Sequence, residues 1–142
     1  MNKEIFTQIV FKEGKPEINR YMNLFNTTGW FDKQKISAEE MKIVLDNSWY
    51  MICAYHEDKL IGFGRIMSDG VIHAMIYEMI IEPEYQGIGI GKQLLKLLVD
   101  KCNDSGIRDI QLFCAKGKKE FYLKNGFEVR PDDAPGMQYV MT

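Results

Sequence analysis

The residues best equipped for chemistry lie between Pro83 and Leu95, PEYQGIGIGKQLL. Gly87, Gly89 and Gly91 alternate with isoleucines, and Lys92 follows as an apolar helical pattern begins. A loop that enters a helix this way points unpaired N–H groups outward, at the positive end of the helix dipole. Bare backbone lets an anion come close, so phosphate binding is the chemistry such a loop would serve, and a plain tight turn is the competing reading. Spacing narrows the ligand. A Walker loop needs G-x-x-x-x-G-K-[ST], but Gln86 stands five before Gly91 and Gln93 follows Lys92. A dinucleotide fingerprint needs G-x-G-x-x-G, whereas these glycines give G-x-G-x-G. Neither pattern fits.

Other reactive side chains are sparse. Cys53, Cys102 and Cys114 are odd in number, widely spaced and without a C-x-x-C pair, which argues against a disulfide framework or a zinc site. Each sits in an apolar pattern and reads as a buried thiol. His56 and His73 are too isolated for a metal centre, so no metal is expected.

The elements that must position the loop follow from pattern. With 142 residues, 46% of them hydrophobic and 27% charged, residues 1–142 read as a single domain with one core. The net charge of -2 argues against a nucleic-acid partner. No apolar run reaches the roughly 18 residues a membrane helix needs, and the opening MNKEIFTQIVFKEG does not read as a signal peptide. The expected location is cytoplasmic, with no membrane partner.

Ile5 to Phe11 alternate loosely and predict a first strand. After Pro16, Ile18, Tyr21, Met22 and Phe25 recur at helical spacing, with Gly29 as a stop signal. Ser37 and Glu40 form a capping-box pattern that starts a second helix. SWYMICAYH, KLIGFGRIM and VIHAMIYEMII predict an antiparallel meander with turns at Glu57–Asp58 and at SDG, ended by Pro83. Ile90, Leu94, Leu97, Leu98 and Cys102 mark a long crossover helix, IRDIQLFCA a strand and KKEFYLKNG a short helix closed by Gly126. The tail FEVRPDDAPGMQYVMT predicts two further short strands. The crossover makes the fourth and fifth strands parallel neighbours.

What does fit the glycine loop is Q-x-x-G-x-G, from Gln86 through Gly89 to Gly91. Ile81 through Gly91, IEPEYQGIGIG, resembles the V-x-P-x-x-Q-G-x-G-I-G pyrophosphate loop of the GNAT superfamily of acetyl-CoA-dependent N-acetyltransferases. Downstream, Phe121 to Phe127, FYLKNGF, resembles that family's F-Y-x-x-x-G-F element. The resemblance in element order covers nearly the whole chain. It implies an α/β GNAT fold: a central mixed, mostly antiparallel sheet of about seven strands with flanking helices and parallel, splayed strands 4 and 5.

The resemblance also implies a reaction: direct attack of a primary amine on the acetyl thioester of acetyl-CoA (coenzyme A), in a ternary complex. The pyrophosphate would lie on the amides of Gly87, Ile88, Gly89, Ile90, Gly91 and Lys92, in the loop that Gln86 opens. The pantetheine arm would run beside the backbone of Met79, Ile80 and Ile81, with the Met79 N–H aimed at the acetyl oxygen, where charge grows during attack. Ala115 stands where many members carry an asparagine that helps hold that arm. The nearby Lys116, Lys118, Lys119 and Lys124 offer charge for the cofactor's ribose phosphate, or simply form a solvated helix face. Tyr122, at the FY position, would contact the cofactor and donate a proton to the departing thiolate. An alkylammonium has a pKa of about 10.4, so a base should help the amine become neutral. Glu78 is the obvious carboxylate. If strand alternation is strict and Met79 and Ile81 face the acceptor, however, then Tyr77, Met75 and His73 share their face and Glu78 points away. A bulge would reverse this. The base stays open between Glu78, Tyr77 or His73 acting through water, and no single residue.

For the acceptor, the family's usual pocket segments carry Trp30, Phe31, Trp49, Tyr50 and Met137, with His73 and Tyr77 at the strand. A small amine with an apolar or aromatic body is the expected substrate. A protein N-terminus or lysine, and a non-catalytic acyl-CoA sensor, are the alternatives. The expected assembly is a monomer or homodimer.

Overall fold

The computed structural model describes residues 2–142. The chain falls into a first compact unit ending at Gln111 and a second, Leu112–Thr142.

The first unit opens with α1 (Asn2–Gln8) and β1 (Ile9–Glu13). The strand predicted from Ile5 therefore begins four residues late. The reason lies in its partner: β1 runs antiparallel to β2 (Tyr50–His56) and pairs Ile9 with His56, where β2 ends. Residues before Ile9 have no strand to pair with, so their N–H groups close within a helix. Next come α2 (Ile18–Asn26) and α3 (Ala38–Asp46). The Glu17 carboxylate caps α2 by accepting from the Arg20 N–H at 2.8 Å. The capping box starts α3 as expected: Glu40 N–H donates to Ser37 Oγ at 3.1 Å, and Ser37 N–H to Glu40 Oε1 at 3.0 Å.

The predicted meander forms. β2, β3 (Lys59–Ser68) and β4 (His73–Ile81) pair antiparallel in succession, with Glu57 at φ +55° and Gly70 at φ +82° in their turns. A 3-10 turn, Pro83–Tyr85, leads to the glycine loop and α4 (Ile90–Asp104). β5 (Asp109–Leu112) then lies parallel beside β4, giving the sheet order β1-β2-β3-β4-β5.

Two layers of side chains hold this sheet. Tyr21, Leu24 and Phe25 of α2 and Met41 and Leu45 of α3 bury against Cys53, Leu60, Phe63 and Ile80 on one face. α4 covers the other with Leu94, Leu95, Leu98 and Cys102. Leu97, predicted for that stripe, is only half-buried. The sheet can lie close under α4 because β3 carries Gly62 and Gly64. A Cβ at Gly64 would meet Leu98 Cδ1 at 2.7 Å, and one at Gly62 would meet Leu94 Cδ1 at 3.0 Å.

In the second unit, α5 (Lys119–Lys124) carries Tyr122, which packs edge-on between Phe121 and Phe127 at ring distances of 5.0 and 5.9 Å. The tail forms a turn in which Ala134 N–H donates to the Pro131 carbonyl at 2.9 Å and Arg130 Nε to the Ala134 carbonyl at 2.7 Å. Among the described residues no strand follows Leu112, so the sheet has five strands and the expectation of about seven is corrected. Pro131 and Pro135 supply no N–H, and Met137, Tyr139, Val140 and Met141 are exposed. With no face to bury, the tail has nothing to fix a strand register.

Among the described residues no helix is long and apolar enough to cross a membrane.

Candidate active site

The glycine loop has the geometry its sequence implied. Gly87 and Gly89 both take left-handed backbone, at φ +82° and +99°, and Gly89 is the N-cap of α4. A glycine cap brings no side chain, so the first-turn N–H groups of α4 have no side-chain acceptor. Nothing lies within 4 Å of where a Cβ at Gly87 would be, and at Gly89 only the Phe6 ring comes near, at 3.7 Å. Gln86 pins the loop to the end of β4, its Nε2 donating to the Ile81 carbonyl at 3.0 Å. Tyr85 ties it to β2, with Oη 2.7 Å from His56 Nδ1. The result is a bare, anchored backbone that opens onto a fifteen-residue helix. A bare backbone at a helix start is the kind of surface an anion can approach closely.

β4 departs from strict alternation just before the loop. Phe63 pairs with Ile80 and Arg65 with Tyr77, so two steps on β3 face three on β4. The extra residue is accommodated at Glu78, which sits at φ +46°, a conformation that side-chain-bearing residues rarely adopt. This bulge overturns the face assignment drawn from alternation. Met79 and Ile81 turn toward α4, where Met79 Sδ and Ile81 Cδ1 press against the positions of Gly64 and Gly62. Ile80 enters the core beneath α2. Tyr77 and Glu78 both meet Arg65 instead: Arg65 Nε donates to Glu78 Oε1 at 2.6 Å, and its guanidinium lies 5.4 Å from the centre of the Tyr77 ring. The pair is largely enclosed, with side-chain exposures of 12% for Arg65 and 18% for Glu78.

Two further groups hold Arg65. Arg65 Nη1 donates to Ser48 Oγ at 3.3 Å and approaches Met67 Sδ at 3.0 Å. Tyr21, from α2, is fully buried, and its Oη has no hydrogen-bond partner among the described residues. Burial pushes the Tyr21 phenol well above its ordinary pKa; the Glu78 carboxylate adds to the rise and Arg65 opposes it. Sequence reasoning missed Arg65 and Tyr21 as members of this cluster. Arg65 left a signal, as the one charge inside the apolar run LIGFGRIM. Tyr21 left none beyond its place on a helical stripe.

The remaining candidates lie elsewhere. His73 stands at the far end of β4, exposed, with Nδ1 3.0 Å from the Asp109 carboxylate. It is not gathered with Glu78. Trp30 is half-buried, packing edge-on against Phe25 at 6.3 Å, while Phe31 is exposed at φ +59°. Trp49 and Tyr50 flank the Lys101 ammonium at 5.6 and 5.2 Å. In the second unit, Ala115, Lys116, Lys118, Lys119, Lys124 and Met137 are exposed. Tyr122 is half-buried there, and burial raises its phenol pKa, with Cys114 adding to the effect.

Comparison with known proteins gives one answer. Residues 22–135 match the family described as the acetyltransferase (GNAT) domain. An uncharacterized N-acetyltransferase ycf52 of Pyropia yezoensis is 32% identical over 92% of this chain and 79% of its own length. The GCN5-related N-acetyltransferase 2, chloroplastic, of Arabidopsis thaliana is 31% identical over 92% of this chain, which spans 57% of that relative. In fold, a probable acetyltransferase of Staphylococcus aureus superimposes with a TM-score of 0.81 at 21% identity, covering 94% of this chain and 99% of that one. With the loop, the bulged strand and the parallel β4–β5 pair already established, the conclusion is that this chain belongs to the GNAT acetyltransferase family.

Proposed function

We propose that the protein, acting as one acetyltransferase domain, moves an acetyl group from acetyl-CoA to a primary amine, that of a small molecule. The observation that carries this reading is the left-handed Gly87–Gly89 loop capping α4, a cradle for pyrophosphate. When bound, acetyl-CoA supplies an acetyl group activated as a thioester. The amides of residues 87–92 hold its phosphates, the lysines around Lys119 add charge for its ribose phosphate, and the backbone of Met79 to Ile81 lines its arm. Glu78 and Met79 have no register partner on β3, which favours the Met79 N–H as a donor to the acetyl oxygen.

Glu78 is the proposed base. Its bulge turns the carboxylate to the face of Tyr77, where it takes the proton that the acceptor ammonium must lose. Tyr122 is the proposed acid: an ordinary phenol, with a pKa of about 10, is protonated at neutral pH, so Oη has a proton to give to the departing sulfur. Trp30, Phe31 and Tyr77 are the proposed contacts for an apolar or aromatic acceptor body. The proposed site of action is the cytoplasm; a plastid, as in the Arabidopsis relative's name, is the competing location.

Calorimetric titration with acetyl-CoA, coenzyme A and ATP tests the cofactor. Binding of both coenzyme A species without ATP supports the reading, and no binding of either removes its main support. Turnover with phenethylamine against a lysine-containing peptide then separates a small-molecule acceptor from a protein one. Binding without turnover of either would favour a sensor.

A further inference from the structure

Glu78 is held in a costly conformation. A residue with a Cβ at φ +46° is strained, and strain of this kind persists only where surrounding contacts over-determine it. The contact that meets Glu78 is the Arg65 guanidinium, at 2.6 Å. Arg65 is itself fixed from three sides, by Ser48 Oγ, Met67 Sδ and the Tyr77 ring. A clamp with so little freedom can define where a carboxylate points. Only Oε1 of Glu78 is engaged among the described residues. Tyr21 packs edge-on against Phe63, two residues before Arg65 on β3, at a ring distance of 4.6 Å, and its hydroxyl is a donor without an acceptor among the described residues. Buried hydroxyls are seldom left so, and one water bridging two polar groups is the usual resolution.

We propose that Arg65 and Tyr21 are positioning residues for Glu78: Arg65 holds the bulge and aims the carboxylate, and the Tyr21 hydroxyl steadies its second oxygen through one ordered water. This rests on the reading of Glu78 as base. Glu78 meets Arg65 from β3, which in turn lies over the Tyr77 ring of β4; Tyr21 of α2 packs on Phe63 of β3, with Cys53 of β2 in the same core cluster. Neither positioning residue acts on the acceptor directly, so each works only while Glu78 is present.

A double-mutant cycle in steady-state kinetics, with acetyl-CoA and phenethylamine, tests it. Glu78→Gln alone tests the base and should lower kcat by about 100-fold or more. Arg65→Met should lower kcat by about tenfold or more with KM for acetyl-CoA unchanged, and Arg65→Lys should recover part of that loss. Tyr21→Phe should lower kcat about fivefold without lowering Tm, since it removes a hydroxyl unpartnered within the protein. Arg65→Met or Tyr21→Phe placed on Glu78→Gln should cost nothing further. Losses that multiply in the double variants overturn the positioning roles while leaving Glu78 as base. A Glu78→Gln enzyme with full kcat overturns the base itself, and an inactive wild type overturns the transferase reading for this amine. Should Arg65→Met fail to fold, the Arg65→Lys and Tyr21→Phe cycles carry the same test.

Discussion

Two pairs of glycines in this protein look alike in sequence and do opposite things. Gly62 and Gly64 lie in β3 beneath α4, where a Cβ would run into Leu94, Ala54, Leu98 or Met79 at 2.7 to 3.1 Å. Gly87 and Gly89 lie in the loop, where a Cβ meets open space or only the Phe6 ring, yet φ is +82° and +99°. The first pair is glycine because the interior is full. The second is glycine because of a left-handed backbone conformation in an open place. Absence of a side chain therefore serves packing in one region and backbone conformation in the other, and if the loop holds the proposed cofactor, substitution should separate stability from affinity.

The largest separation is expected at Gly89→Val. A branched residue cannot readily take the left-handed cap and would push into the cradle. Affinity for acetyl-CoA should fall about 100-fold or more, as read by calorimetry, while far-UV circular dichroism stays native. Unchanged affinity would show the loop to be only a turn.

Gly64→Ala is the mirror image. Overpacking against Leu98 and Met79 should cost about 1–3 kcal/mol in urea denaturation, with acetyl-CoA affinity below the transition within about threefold of wild type. A Gly64→Ala protein that keeps its stability but loses its ligand would break the comparison.

A pH series sharpens it further. Burial raises the Cys53 thiol to about 11 and the Tyr55 phenol to about 12, and pushes Tyr21 up as well. In the unfolded chain these groups ionise near their ordinary values of 9.0 and 10.0, so above those values the unfolded state binds fewer protons than the folded one. Their contribution is complete below pH 9 and is lost as pH climbs toward 12. The urea midpoint should fall between pH 9 and about 11, more shallowly in Tyr21→Phe. Gly87→Ala should leave that slope untouched, because the loop holds none of these groups. Its own stability cost, the smallest effect expected, is about 1 kcal/mol from the left-handed backbone.

Much of the fold was legible because the forces are local. Ser37 and Glu40 lie three residues apart and satisfy each other's N–H, whatever surrounds them. Gly70 makes its turn by its own backbone preference. Leu94, Leu98 and Cys102 share a helical face by spacing alone. Legibility ended where one segment depends on another. The start of β1 is set by the end of β2 at His56, which no pattern within Ile5–Phe11 announces. The tail residues from Phe127 onward alternate well enough for strands, but Met137, Tyr139, Val140 and Met141 are exposed and no strand forms there among the described residues.

Glu78 marks the boundary within the site. From the sequence alone came the family loop, the FY element and a carboxylate in the strand before the loop, because each is a matter of residue type and spacing. Which way the carboxylate points was decided in three dimensions. β3 crosses from Phe63 to Arg65 in two residues while β4 takes three, and the surplus folds into a left-handed residue that Arg65 can grip. A chain pattern counts along one strand, whereas a bulge is a mismatch between two, so only their pairing could place Glu78.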